Sequence, residues 1–134
     1  MDRILINNGT KRIEVNDQGE YIELPMGDQG FPTRFYDFVN KMIARYENIA
    51  QKATDLLSAE EQSKKMYEVA LENMSDIDEL FGECTCKKVF GDIVPDDYMI
   101  IDFFDQLRPY INKYGKERRN EIKNKYAPRG AKRC

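Results

Sequence analysis

The sequence contains no histidine and no tryptophan among its 134 residues, and it has only three cysteines. Histidine is the most common general base and a frequent transition-metal ligand, so its absence weakens most enzyme mechanisms. Carboxylates, Lys, Tyr and Cys remain as reactive groups, and none has a recognisable activating partner in the sequence. The composition therefore predicts a protein that is not an enzyme and has no cofactor.

Long apolar runs are also absent. The longest uncharged ones, such as Tyr98–Ile101, stop after a few residues, far below the roughly 20 that a membrane-spanning helix needs. Residues 1–8 contain a short apolar stretch without a small-residue cleavage site, which is not the pattern of a secretory signal. We expect one soluble cytoplasmic domain with no membrane contact, long enough to bury a core without disulfides.

The cysteines do not form a recognisable metal motif. Cys84-Thr85-Cys86 has one intervening residue instead of the two of zinc knuckles and thioredoxin motifs, and Cys134 lies far along the chain. Two acidic runs, residues 76–83 and 92–105, lack the glycine and glutamate spacing of a calcium-binding loop. The pattern predicts reduced structural cysteines, and acidic runs that supply helix N-terminal charge and solvated surface.

Charge is distributed unevenly along the chain. Residues 115–134 carry eight basic residues against Glu117 and Glu121, a net +6 that leaves −9 for residues 1–114. One interpretation is an arm for an anionic partner, with Arg118, Arg119, Lys123 and Lys125 as candidate contact residues. The other is a helix end whose cations complement the helix dipole. The tail has a single aromatic residue, Tyr126, which argues against nucleic-acid binding by base stacking.

The first 30 residues have the alternation of short strands. Apolar residues alternate around Ile4 and Ile6, around Ile13, and again from Tyr21, and Asn-Gly-rich turns separate the three runs. A small N-terminal β-hairpin or meander is predicted here, ending at Pro25 and followed by a loop.

From Pro32 onward the apolar residues recur with the period of a helix. A stripe from Phe35 to Leu56 predicts a long first helix, and Ser58 is the expected cap of a second. Ser75-Asp76 has the pattern of a helix N-terminus and predicts a short third helix that ends at Gly82. Residues 86–91 predict one or two further turns of helix. Pro95 opens the last helix.

Pro109 lies inside that last helix and predicts a kink or break near Leu107-Arg108, with helix resuming to Tyr126 and no structure from Pro128. The chain is therefore expected to be mainly α, a helical bundle of about four helices with a small N-terminal β element. We divide the single domain into residues 1–30, a helical body at 31–114 and a basic helix or tail at 115–134.

The last helix is apolar over a wider arc than one core face requires. Phe103 and Phe104 are adjacent, as are Ile100 and Ile101, so their side chains point in different directions around the helix. Either this helix is central in the bundle, or part of its surface contacts a partner. Phe103, Phe104 and Tyr110 are the candidate partner-binding residues.

Several segments, taken in order and spacing, resemble the small tail assembly chaperones of long-tailed bacteriophages and of prophages in Gram-positive bacteria. They are Arg12–Asp17, Gly19–Ile22, Phe31–Tyr36, Asp78–Asp92, Asp102–Leu107 and Lys125–Arg129. The resemblance implies a mostly helical protein that binds the tape measure protein and keeps it soluble until the tail tube polymerises around it.

On this resemblance we expect a non-enzymatic phage tail assembly chaperone in the cytoplasm of the bacterial host, absent from the mature virion. Its expected partners are the tape measure protein and further copies of itself, with the tail tube protein as another candidate. Six methionines and fifteen aromatic residues suit adaptable apolar contacts. The alternative is a small nucleic-acid-binding regulator that uses the basic tail.

The cysteine spacing and the missing histidines generate a first prediction. The purified protein should contain no stoichiometric zinc or iron, because the chain has no histidine and its three thiols would need carboxylates or a second subunit to complete a four-ligand site. Elemental analysis after dialysis measures this directly, and one metal ion retained per chain would contradict the structural interpretation of Cys84 and Cys86.

Overall fold

The computed structural model describes residues 1–53 and 58–126, in which two strands precede four helices. The strands are β1 (Thr10–Glu14) and β2 (Tyr21–Pro25). The helices are α1 (Phe31–Ala53), α2 (Ala59–Phe81), α3 (Thr85–Phe90) and α4 (Asp97–Tyr126). The predicted fold class, mainly α with four helices and a small N-terminal hairpin, is confirmed. No helix in these residues is both long and apolar enough to cross a membrane.

The hairpin is antiparallel, and Ile13 lies opposite Ile22. Its turn depends on Asn16, whose side-chain oxygen accepts hydrogen bonds from the backbone N–H groups of Gln18 and Glu20, and on Gly19, which has a φ of 79°. Asparagine and glycine are suited to such turns because one bonds its own backbone and the other adopts positive φ freely.

The strand predicted around Ile4 and Ile6 is wrong, because residues 1–9 form no strand. The side chains of Asn7 and Asn8 accept hydrogen bonds from the N–H groups of Gly9 and Thr10, and the Asn7 carbonyl accepts one from the Arg118 guanidinium at 2.9 Å. These contacts hold the chain before β1 in a local turn rather than in a third strand.

Helices α1 and α2 pack against each other, and Ser58 caps α2 as predicted, its hydroxyl accepting a hydrogen bond from the Glu61 N–H. The separate helix predicted to start at Ser75-Asp76 is wrong, because α2 continues to Phe81. Tertiary contacts explain this: Ile77 is fully buried and Asp76 pairs with Arg45 of α1 at 2.7 Å. The end of the predicted first stripe, Leu56, lies outside the described residues.

A polar network fixes the alignment of α1 and α2. Asn73 is completely buried; its amide oxygen accepts a hydrogen bond from Arg45 at 2.8 Å and its NH₂ donates to the Tyr46 hydroxyl at 3.1 Å. Arg45 also pairs with Glu72 and Asp76, and burial raises the pKa of Tyr46. Because buried polar groups are costly unless bonded, this network selects one alignment of the two helices.

Helix α4 is continuous through Pro109, so of the kink or break predicted near Leu107-Arg108 the break is wrong. Leu107 and Ile111 are buried on either side of Pro109, which is itself exposed. The backbone hydrogen bond that proline removes therefore lies on the solvent side, where water can replace it. The helix also crosses the boundary at 114/115, and the predicted lack of structure from Pro128 falls outside the described residues.

The core is an aromatic cluster between α1 and α4. The Phe104 ring lies 5.3 Å from Phe35 and 5.0 Å from Phe38, between ring centroids, and Phe31 packs on Phe35 and Phe81. Leu24 of β2 is fully buried in the same cluster, so the hairpin packs against the helices through this residue.

Cys84, the residue before α3, has a left-handed backbone with φ 68° and ψ 8°. This conformation costs an L-residue about 1–2 kcal/mol, whereas glycine adopts it freely. The thiol is exposed. The position therefore requires a residue that can adopt positive φ, and it does not require a particular side chain.

Replacing Cys84 with glycine should raise the free energy of unfolding by about 0.5–1 kcal/mol, the relief of backbone strain less the entropy that glycine loses on folding. Cys84→Ala is the matched control, because it removes the thiol and keeps Cβ; it should change stability by less than about 0.5 kcal/mol. Urea denaturation measures both. Equal effects of the two variants would show that the backbone is not strained here.

Candidate partner-binding groove

A groove of about 330 Å³ with a mixed polar and apolar lining lies between the hairpin, α3 and α4. Its apolar lining comes from all three elements and is interrupted by two carboxylates and one amide. The lining residues are Ile13, Glu14, Val15, Ile22, Val89, Phe90, Met99, Asp102, Phe103, Gln106, Leu107 and Tyr110. No Lys or Arg is among them, so the charge at the groove is negative.

Each wall of the groove follows from a local sequence pattern. Ile13 and Val15 alternate with polar residues on the hairpin, and Val89 and Phe90 are the last residues of the short helix α3. The hairpin is tied to α3 by Asn16, whose Nδ2 donates a hydrogen bond to the Lys88 carbonyl at 3.1 Å. The two walls are therefore held at a fixed separation.

Phe103 lies at the base of the groove. Its ring centroid is 5.8 Å from that of Phe81, 5.7 Å from Phe90 and 5.3 Å from Phe104, mostly edge to face. The side chain is half-buried, so one side contacts the core while the other remains accessible from the groove. Edge-to-face aromatic pairs prefer particular orientations, so the ring is held in place before any partner arrives.

The predicted apolar contact residues divide between the surface and the core. Phe103 and Tyr110 line the groove together, and Tyr110 is 42% exposed. Phe104 is only 2% exposed and lies between α1 and α4. The ring of Phe104 therefore contributes to the core rather than to a contact surface, because its place on the helix points toward α1.

The predicted basic contact residues lie at the other end of α4. Arg119, Lys123 and Lys125 are exposed. Arg118 is half-buried; its guanidinium donates to the Asn7 carbonyl and packs closely against Gly9. Arg118 thus ties the N-terminal segment to α4, and the exposed cations form a separate surface from the groove.

The thiol of Cys86 is buried below α2. Its Sγ donates to the Met74 carbonyl at 3.4 Å, and its backbone N–H donates to Asp78. Burial, together with the nearby Asp78 carboxylate, raises the pKa of Cys86 to about 12, so the reactive thiolate form is disfavoured near neutral pH. Within residues 1–53 and 58–126, no three Cys, Asp or Glu side chains are grouped as a metal site would require.

Sequence reasoning missed most of the groove. Ile13, Val15, Val89 and Phe90 had been assigned to local elements without a role at a site. Their alternation and helix periodicity were visible, but the contact between residues near 14, 90 and 103 is long-range. Only the wide apolar arc of α4 gave a signal, and that signal found Phe103 and Tyr110.

A family model covers most of the chain: residues 18–134 match DUF6673, described as a family of unknown function. The chain belongs to this family. The matched residues of this DUF6673 protein include β2 and all four helices, while β1 and the segment before it lie outside the match. No curated protein and no solved structure matches the chain.

The different positions of the two adjacent rings can be tested by truncation. Phe104→Ala should lower the free energy of unfolding by about 3–5 kcal/mol, because it leaves a cavity between α1 and α4. Phe103→Ala should lower the free energy of unfolding by less than about half of that amount, because the Phe103 ring is already partly exposed to solvent. Chemical denaturation of both variants measures the difference, and equal losses would contradict the placement of Phe103 at the groove surface.

Proposed function

We propose that this protein is a non-enzymatic assembly chaperone that holds an apolar segment of a partner protein in the groove between the hairpin, α3 and α4. The groove itself is the observation that carries the proposal: it is open, and apolar side chains from three elements line it together with two carboxylates and one amide. Its volume is within the range of about 300–1,000 Å³ typical of ligand-binding clefts.

The charge around the groove indicates the kind of segment it accepts. Glu14 and Asp102 contribute carboxylates and no cation lines the groove. An apolar stretch flanked by Lys or Arg would therefore fit better than one flanked by acidic residues. Met99 and Gln106 have flexible side chains that can repack against different apolar residues.

The proposed partner is the tape measure protein of a long-tailed phage, a choice supported by the resemblance to tail assembly chaperones. A tape measure protein is a long coil whose apolar seam aggregates when it has no partner. A groove for apolar side chains on a highly charged protein could cover short stretches of that seam. In this proposal the chaperone acts in the host cytoplasm, can also contact the tail tube protein, and is absent from the finished virion.

A second candidate function is supported by the basic end of α4. Lys116, Arg119 and Lys123 are exposed and, at spacings of three and four residues, they share one face of the helix. Such a stripe could contact phosphates in a nucleic acid. Binding of that kind weakens steeply as the salt concentration rises, whereas apolar binding in the groove does not.

Co-expression with the tape measure protein tests the chaperone function. The wild-type chain should keep the tape measure protein in the soluble fraction. Tyr110→Glu should weaken the complex at least about tenfold, because it places a charge in the apolar groove beside Asp102. The control is Tyr98→Glu, also on α4 but 79% exposed and outside the groove, which should bind normally.

Titration of the purified chain with the tape measure protein and with duplex DNA, at low and high salt, separates the two candidate functions. If the tape measure protein precipitates equally with and without the chain while DNA binds with a steep salt dependence, the regulator replaces the chaperone. If Tyr110→Glu and Tyr98→Glu lose binding to the tape measure protein equally, the contact with that protein lies outside the groove.

A further inference from the structure

The N-terminal arm, residues 2–6, is the most apolar uncovered segment of the described chain. Ile4, Leu5 and Ile6 are 86%, 75% and 82% exposed. Three consecutive large aliphatic residues favour an extended strand, and their exposure to water is unfavourable. A segment of this composition gains free energy by pairing with an open sheet edge.

The base of the arm is held away from the molecule's own groove. Arg118 bonds the Asn7 carbonyl, and a Cβ on Gly27 would collide with the Asn8 carbonyl. Asn8 therefore lies close to the loop that follows β2. The chain before Thr10 thus stays beside the β2 end of the hairpin. Residues 2–6, which precede these contacts, are exposed.

An open strand edge lies at the groove. Among the described residues β1 pairs with β2 alone, so its other edge has no strand beside it. Ile13, Glu14 and Val15 all line the groove. Ile13 and Glu14, the last two residues of β1, point to opposite faces of the strand, so their joint presence in the lining indicates that the backbone edge at the end of β1 borders the groove, beside Ile22 of β2.

We propose that the arm of one copy adds as a strand to the open edge of β1 in a second copy, with Ile4 and Ile6 in the groove. Ile4 and Ile6 share one face of an extended strand and Leu5 lies on the other. Arg3, directly before Ile4, would lie near the rim carboxylates of Glu14 and Asp102.

A second copy is the occupant that the structure favours, because every chain carries both an exposed arm and, among the described residues, a β1 edge with no strand beside it. Reciprocal exchange then gives a closed two-fold dimer in which the same contact is made twice. This dimer does not depend on the chaperone function. If both hold, a tape measure segment competes with the arm for the same groove.

Sedimentation velocity on the full chain tests the arm exchange. Wild type should be a dimer, and the double variant Ile4→Asp, Ile6→Asp should dissociate at least about 100-fold more readily, because two buried isoleucines become charged. Leu5→Asp is the matched control on the opposite face and should remain dimeric. All three positions are exposed within one copy, so the fold, checked by circular dichroism, should be unchanged.

Mixing two defective variants gives a sharper result. Tyr110→Glu, with an intact arm and a damaged groove, should be monomeric on its own, as should the Ile4/Ile6 double variant. Mixed together, they should form a heterodimer through the one remaining contact between intact arm and intact groove. A monomeric wild type, or a dimer that the double variant leaves intact, would overturn the proposal. Neither of these two results would affect the test with the tape measure protein. The Ile4→Asp, Ile6→Asp variant should still bind the tape measure protein, because its groove is intact.

Discussion

The packing of Phe104 between Phe35 and Phe38 is the interaction on which the rest of the structure depends. It joins the last helix to the first and fixes the rotation of α4 about its own axis. Since a helix turns about 100° per residue, Phe103 cannot face the same way. Its ring is directed toward Phe81 and Phe90, so the contact that closes the core also creates the base of the groove.

Local signals predicted much of the fold. The sequence predicts Ser58 as a helix cap and a turn between β1 and β2, because the cap and the turn both form through hydrogen bonds to backbone only a few residues away. The wrong predictions of a helix start at Ser75-Asp76 and of a helix break near Pro109 have a common physical cause, which is packing against distant parts of the chain. Ser75-Asp76 has the composition of a helix start, but the pairing of Asp76 with Arg45 and the burial of Ile77 favour a continuous helix.

Pro109 failed as a helix breaker for a related reason, since its missing hydrogen bond lies on the exposed side of a helix that is buried at Leu107 and Ile111. The site was less predictable than the fold. The wide apolar arc of α4 pointed to Phe103 and Tyr110, but the arc alone could not separate Phe103 from its buried neighbour Phe104. Only the three-dimensional structure could assign Arg118 to the Asn7 carbonyl, 111 residues away in sequence.

We propose that the groove between the hairpin, α3 and α4 binds a partner segment. Hydrogen–deuterium exchange of the chain, with and without the tape measure protein, tests it most directly because exchange reports each part of the backbone separately. Binding in the groove should slow exchange at residues 13–15, 89–90 and 99–110 when the partner is present. Unchanged exchange at those residues, with protection confined to residues 116–126, would contradict it.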